Sequence, residues 1–154
     1  FRSRRALHGH LNASKTIIDL DLRLTGDRDR FERLVAQADL LVESFSRRVL
    51  PNLGYHGAAL RRINPTIGMV SIKAFPAGTD RSDWLAYGPG VHAASGLGLV
   101  TGRPRPAPIA YPDLVAGVTG YAEAQALLTA GGASTEVSLA GSIAPLVERA
   151  RADG

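Results

Sequence analysis

Between residues 16 and 72 the chain alternates between β-type and helix-type patterning, and this alternation restricts its fold more than any other feature. The stretch Thr16-Ile-Ile-Asp-Leu-Asp-Leu22 is β-branched at its start and alternates in polarity, which predicts a strand. Thr25 offers an N-cap, and Asp27 suits the positive end of a helix dipole. Phe31, Leu34, Val35 and Ala38 then recur at i, i+3, i+4 and i+7, an apolar stripe facing a core. Leu40-Leu-Val-Glu43 predicts a second strand, and Gly57–Ile63 a helix stopped by Asn64-Pro65. Residues 67–72 predict a third strand, buried on both faces. Strand, helix, strand, helix, strand is the pattern of an α/β fold with a parallel sheet covered by helices.

Beyond Lys73 the pattern loosens, and residues 76–112 form a loop-rich connection with one helix. Residues 77–83 are a polar loop, and 84–97 a helix in spite of Gly88-Pro89-Gly90. Arg103-Pro-Arg-Pro-Ala-Pro108 is an extended connector. Tyr111-Pro112-Asp113 leads into a helix over about 114–130, and residues 136–151 give a short strand running into a helix. Residues 1–10 are expected to be irregular, and the 154 residues to form one domain.

Composition narrows the function. The chain is 45% hydrophobic and 21% charged, which suits a packed globular protein rather than a disordered one. No apolar run approaches the roughly 20 residues of a membrane helix. Cysteine is absent, which excludes thiol catalysis, disulfides and cysteine-based zinc sites. The first residues, Phe1-Arg-Ser-Arg-Arg5, carry no initiator methionine and are followed by no apolar leader, so the expectation is a cytoplasmic chain cut from something longer. The net charge of +4 comes mostly from arginine, but Arg28, Arg30 and Arg33 alternate with Asp27, Asp29 and Glu32 as on a solvated helix face. With few aromatics to stack bases, this argues against nucleic-acid binding. Only Lys15 and Lys73 depart from the arginine bias.

Several motifs fall short. Gly9-x-x-x-x-Ser14-Lys15-Thr16 lacks the second glycine of a phosphate loop, and a strand follows where a helix is required. Gly96-x-Gly98-x-x-x-Gly102 misses the dinucleotide fingerprint, and no Gly-x-Ser-x-Gly elbow exists. His8 and His10 lie near a terminus without a carboxylate beside them, so no metal is expected; His56 and His92 read as surface or satisfied core histidines. Asp113 remains. Pattern alone favours a helix N-cap, and leaves open a carboxylate aimed for chemistry from a helix N-terminus.

The residues resemble a known family. Leu11-Asn-Ala-Ser-Lys-Thr-Ile-Ile-Asp-Leu-Asp-Leu22 resembles the "LNRNKRSIALDL" segment of the family III CoA-transferases, which include formyl-CoA transferase, carnitine CoA-transferase and α-methylacyl-CoA racemase. In order along the chain, Ala38-Asp-Leu-Leu-Val-Glu-Ser-Phe45 is similar to "ADVLVENF", and Leu60-Arg61…Ile63-Asn64-Pro65 to "LRAINP". Ser71-Ile-Lys-Ala-Phe75 is similar to "SVKGY", Ala93-Ala-Ser-Gly96 to "QAMSG", and Glu136-Val-Ser-Leu139 to "VDVSLLD". Tyr111-Pro-Asp113 falls on the family's aspartate segment.

The resemblance implies a Rossmann-like parallel sheet, here part of a large domain. It also implies an interlocked homodimer, coenzyme A and acyl-CoA with a carboxylic acid as substrates, and no metal. Family chains are longer, with an opening strand and helix, a small domain and a glycine-rich loop that this chain is expected to lack. The family's catalytic aspartate maps to Asp113, a carboxylate nucleophile that forms acyl-aspartyl and aspartyl-CoA intermediates. CoA-binding positions map to Lys15, Ser44, Phe45, Lys73, Phe75 and Tyr87, with Lys73 a point charge for phosphate. Ser14, Ser44, Asn52 and Ala74 depart from the family's usual residues. Tyr87 stands where the racemase branch carries a histidine, which disfavours racemisation. The alternatives are a racemase-like enzyme and a non-catalytic fragment that binds CoA or a partner.

Overall fold

The computed structural model describes residues 8–100, 102 and 109–153. The connector at 103–108 lies outside the described residues. The chain divides into two compact units, Phe1–Phe31 and Glu32–Gly154.

In the first unit, residues 8–11 are helical rather than irregular, and the turn after them is closed by Asn12, whose backbone and side-chain nitrogens both donate to His8 O. The strand expected over 16–22 does not form. A strand exists through its ladder, and among the described residues nothing pairs with this segment. It ends in a turn held by Asp21, whose carboxylate accepts from Arg23 N, Nε and Nη2 and is held down to about 2 by those bonds. Helix α1 (Thr25–Gln37) starts on Thr25 itself. The cap position therefore falls to Leu24, whose carbonyl takes the first helical bond from Arg28 N, while Asp27 reaches back to Asp21 N.

The second unit is built on three parallel strands in the order β1 (Leu40–Glu43), β2 (Gly68–Lys73) and β3 (Ser134–Ser138). Between them run α2 (Val49–Asn52), α3 (Gly57–Ile63), α4 (Gly88–Ala94), α5 (Leu97–Val100) and α6 (Tyr111–Ala130), and α7 (Leu139–Ala152) follows β3. The register pairs Glu43 with Ser71 and Lys73 with Ser138. The α/β class and parallel sheet are as the sequence indicates. The helix over 84–97 is shorter than its pattern, because α4 begins only at Gly88 with Pro89 in its first turn. Helix α6 starts three residues before the expected position, again with a proline in the first turn.

The core joins Val70, Phe75, Val91, Ala116, Leu127, Val137, Leu139 and Ile143. Helix α6 lies close on the sheet because it turns Ala116 and Gly120 inward; a Cβ on Gly120 would meet Ile72 at 3.6 Å. At the start of β2, a Cβ on Gly68 would come within 2.9 Å of Leu40 Cδ1 and 3.3 Å of Leu127 Cβ, so the chain enters there in a tight gap between two leucines. Strand β2 is not buried on both faces: Met69 and Ser71 remain half-buried and border a cavity of about 230 Å³ beneath Leu50, Tyr55 and His56. On α1, Val35 is buried, whereas Leu34 is exposed and leaves the predicted stripe.

Asn64 fixes the passage from α3 into β2. Its Nδ2 donates to Val35 O and Ala38 O, and its Oδ1 accepts from Thr66 N and Oγ1. It is a buried amide with every polar atom used, so truncation removes four hydrogen bonds at once from the passage into β2. Asn64→Ala should destabilise folding by about 2–3 kcal/mol. Urea unfolding reads this directly, and an unchanged midpoint would contradict the role given to this side chain.

Candidate active site

In a parallel sheet, ligands gather outside the carboxyl ends of the strands, where loops diverge and side chains need not fill a core. Here the last residues of β1 and β2 are charged. Glu43 and Lys73 form an ion pair at 2.5 Å, with side chains only 5% and 9% exposed. The pair also holds the chain leaving β1: Phe45 N donates to Glu43 Oε2, and Lys73 Nζ donates to Phe45 O at 2.8 Å.

Two residues on, Arg47 joins three further segments. Its guanidinium forms a two-pronged ion pair with Glu136 of β3 and donates to Phe75 O and Ser82 O. This bidentate geometry pushes Arg47 further up and holds the Glu136 carboxyl below the ordinary glutamate value of 4.5, with its bonds to Arg47 the largest cause.

These anchors frame a cleft of about 400 Å³, lined by Ser44, Phe45, Arg47, Lys73, Trp84 and Tyr87 among others. Three rings border it, each at least half exposed: Phe45, Trp84 and Tyr87. Four sequence-derived site residues, Ser44, Phe45, Lys73 and Tyr87, thus meet in one place. Phe75 does not join them. It is 4% exposed, packed in the core and edge-on to Trp84 at 6.0 Å between ring centroids. Lys73 reaches the cleft wall, but its amine is occupied by Glu43 and Phe45 rather than free. Lys15 is exposed in the first unit.

Asp113 is the third residue of α6, not its cap; Ala110 holds the cap position and makes no side-chain cap bond. The Asp113 carboxylate rests against Gly88, the residue after cleft-lining Tyr87. A Cβ on Gly88 would fall inside that carboxylate, so the backbone of α4 leaves space there for the acid. In the sequence Gly88 reads only as a flaw in a helix, and no motif marks Glu43, Arg47 or Trp84. An acid ending an apolar strand was the one available signal for Glu43.

The histidine readings divide. His56 caps α3, accepting from Ala59 N at 3.3 Å. His92 is buried, but neither ring nitrogen has a hydrogen-bond partner among the described residues, so it is not a satisfied core histidine. Among the described residues no group of three His, Cys, Asp or Glu side chains is placed to hold a metal, and no helix is long and apolar enough to cross a membrane.

The Arg47–Glu136 pair sets a pH dependence. Because folding depresses the Glu136 pKa, its stabilisation is complete above the unfolded glutamate value of 4.5 and fades as pH falls through the lower folded value. Glu136→Gln should therefore cost about 1–2 kcal/mol at pH 7. Parallel denaturant titrations should show the gap between wild type and variant closing below pH 4.5. A gap that does not change with pH would overturn this assignment.

Comparison with known proteins bears on the family and the fold. The family model for CoA-transferase family III matches residues 2–150. Acetyl-CoA:oxalate CoA-transferase of Acetobacter aceti is 35% identical over 94 residues, 61% of this chain and 24% of the relative. Formyl-CoA:oxalate CoA-transferase of Escherichia coli O139:H28 is 30% identical over 92 residues, 60% of this chain and 22% of the relative. The matched stretch is thus about a quarter or less of each of these curated relatives. A CAIB/BAIF family protein from Brucella suis superposes with a TM-score of 0.78 at 22% identity, over 88% of this chain and 38% of that one. A hypothetical protein from Mycobacterium tuberculosis gives 0.75 at 19% identity, over 90% and 43%; these two likenesses speak for the fold. By its family match, with the fold agreeing, the chain belongs to CoA-transferase family III.

Proposed function

We propose that this chain carries the acyl-transfer centre of an acyl-CoA:carboxylate CoA-transferase, with Asp113 as the nucleophile. The supporting observation is the place of its carboxylate: first turn of α6, free of capping duty, seated on Gly88 beside the cleft residue Tyr87. A carboxylate suits this chemistry because its anhydride and thioester conserve the energy of the thioester bond.

In the first step an Asp113 oxygen attacks the donor thioester carbonyl, the C–S bond breaks, and an acyl-aspartyl anhydride and CoA thiolate result. The thiolate attacks the aspartyl carbonyl, releasing the donor carboxylate and leaving an aspartyl-CoA thioester. The acceptor carboxylate attacks that thioester and expels the thiolate again. Thiolate attack on the acceptor acyl carbon then gives the new acyl-CoA and frees Asp113. Both covalent states are open to hydrolysis, so the site has to be kept from water. Phe45, Trp84 and Tyr87 offer ring faces for the pantetheine arm or the base, and Ser44 a hydroxyl. Acetyl-CoA and formyl-CoA as donors with oxalate as acceptor are the first substrates to try, from the relatives' activities. Lys15 and Phe75 keep CoA contacts in this reading only through the family likeness.

The reading also carries self-association in the cytoplasm. Helix α6 leaves Tyr111, Leu114, Val118, Tyr121 and Leu128 exposed at helical spacing, an apolar stripe that a second copy would cover. Gel filtration should show a species larger than one chain, and a stable monomer would count against it.

The central test is intact-mass analysis after incubation with acetyl-CoA or formyl-CoA, followed by hydroxylamine trapping. A covalent adduct should map to Asp113 and vanish in Asp113→Asn, with CoA exchange falling at least about a thousandfold. Gly88→Ala should keep the fold and lose most of the adduct, because its methyl displaces the carboxylate. Undiminished exchange in Asp113→Asn would sink the mechanism.

A further inference from the structure

The Glu43–Lys73 pair does more than neutralise two buried charges. Its atoms close a ring: Glu43 Oε1 meets Lys73 Nζ, Nζ donates to Phe45 O, and Phe45 N donates back to Glu43 Oε2. The ladder between β1 and β2 ends at Glu43, so Phe45 lies past the last strand pairing. Its backbone N–H and C=O are satisfied by the two side chains where a neighbouring strand would otherwise serve. The next anchor, Arg47, is tied separately to Phe75 O, Ser82 O and Glu136. In the cleft-lining segment 44–47, Phe45 and Arg47 are therefore each tied down by side-chain bonds, and among the described residues those at Phe45 come from this pair.

The pair also fixes what Lys73 can offer a ligand. An ammonium 9% exposed, with one bond to a carboxylate and another to a carbonyl, would have to surrender both to reach a phosphate. Each of those bonds is charge-assisted, and releasing the one to Glu43 would leave that carboxylate buried and unpaired.

We propose that Glu43 is a positioning residue that, with Lys73, clamps the Phe45 backbone so that the ring stands in the cleft, and that Lys73 serves the acyl-CoA site through this clamp and not as a phosphate-binding cation. The inference rests on the acyl-CoA reading for its ligand, and on the hydrogen-bond ring for the clamp.

The two roles for Lys73 predict opposite results. If Lys73 held phosphate, Glu43→Gln would free its charge, and CoA would bind as tightly or more tightly. Lys73→Met would then weaken CoA and leave pantetheine, which lacks the nucleotide phosphates, unaffected. The clamp predicts that Glu43→Gln and Lys73→Met each weaken CoA and pantetheine alike, by about tenfold. The double variant Glu43→Gln/Lys73→Met leaves no lone buried charge, so it should fold even where a single variant does not. It should lose no more affinity than either single change, as expected for two groups acting as one device.

The measurements are calorimetric titration of this chain with CoA, NMR titration with pantetheine, and amide hydrogen exchange at Phe45. Exchange there should quicken at least about tenfold in every variant, while core amides such as Val70 stay protected. Unchanged exchange at Phe45, or tighter CoA binding by Glu43→Gln, overturns the proposal. Absence of CoA binding by the wild-type chain would count against the acyl-CoA reading, with the Phe45 exchange rates still deciding the clamp.

Discussion

A buried charge has to be answered by a partner, and at the carboxyl end of this sheet that requirement organises the site. Glu43 answers Lys73 in the interior at the ends of β1 and β2, and beside them the more open Arg47 answers Glu136 from the middle of β3. Each pair has hydrogen-bonding capacity to spare and uses it on backbone that has left the ladder: Phe45 for the first, Phe75 and Ser82 for the second. Replacing these pairs with hydrocarbon could preserve the sheet. It could not hold the loops, because only a charged group with several donors or acceptors satisfies several stray backbone groups at once. The shape of the cleft is thus a consequence of where the charges are.

Much of the second unit could be read from local patterning because there local and tertiary preferences agree. Leu40–Glu43 and Gly57–Ile63 have the bounds their sequences imply, the helix ending where Asn64-Pro65 denies it further bonds. Residues 16–22 show the opposite case. Their alternation is as good as that of any strand in the chain, but a ladder needs a second strand, and pairing is not a local property. Leu34 fails for a similar reason: helical spacing fixes which residues share a face, but not how wide a neighbour covers it.

The candidate site was legible in part, and for two different reasons. Pattern marks Asp113 and Lys73 without assigning them a role, and Ser44, Phe45 and Tyr87 stand out only through family likeness, since a loop serine or a helix-start aspartate has common structural uses. What no local pattern could supply is which groups answer one another across the fold. Glu43 and Lys73 are thirty residues apart, and Arg47 and Glu136 eighty-nine. Phe75, placed near CoA by likeness alone, is claimed by the core because the chain past Lys73 turns its ring under α7, against Trp84. The role of Gly88 is invisible locally because a glycine's value lies in the neighbour it admits, here a carboxylate from another helix.

The inner face of helix α6, Pro112, Ala116, Gly120 and Leu127, is buried against the unit, and a second apolar stripe runs along its outer face from Tyr111 to Leu128. A helix apolar on two sides is one whose environment is meant to be dry on two sides. Asp113 lies in its first turn, between buried Pro112 and exposed Leu114. A surface that covers the outer stripe as far as Leu114 also approaches the first turn of the helix, where Asp113 stands. An anhydride or thioester on that carboxylate survives only while water is kept away. In the proposed mechanism, a partner covering the hydrophobic stripe would therefore also help to keep water from the acyl-aspartyl bond.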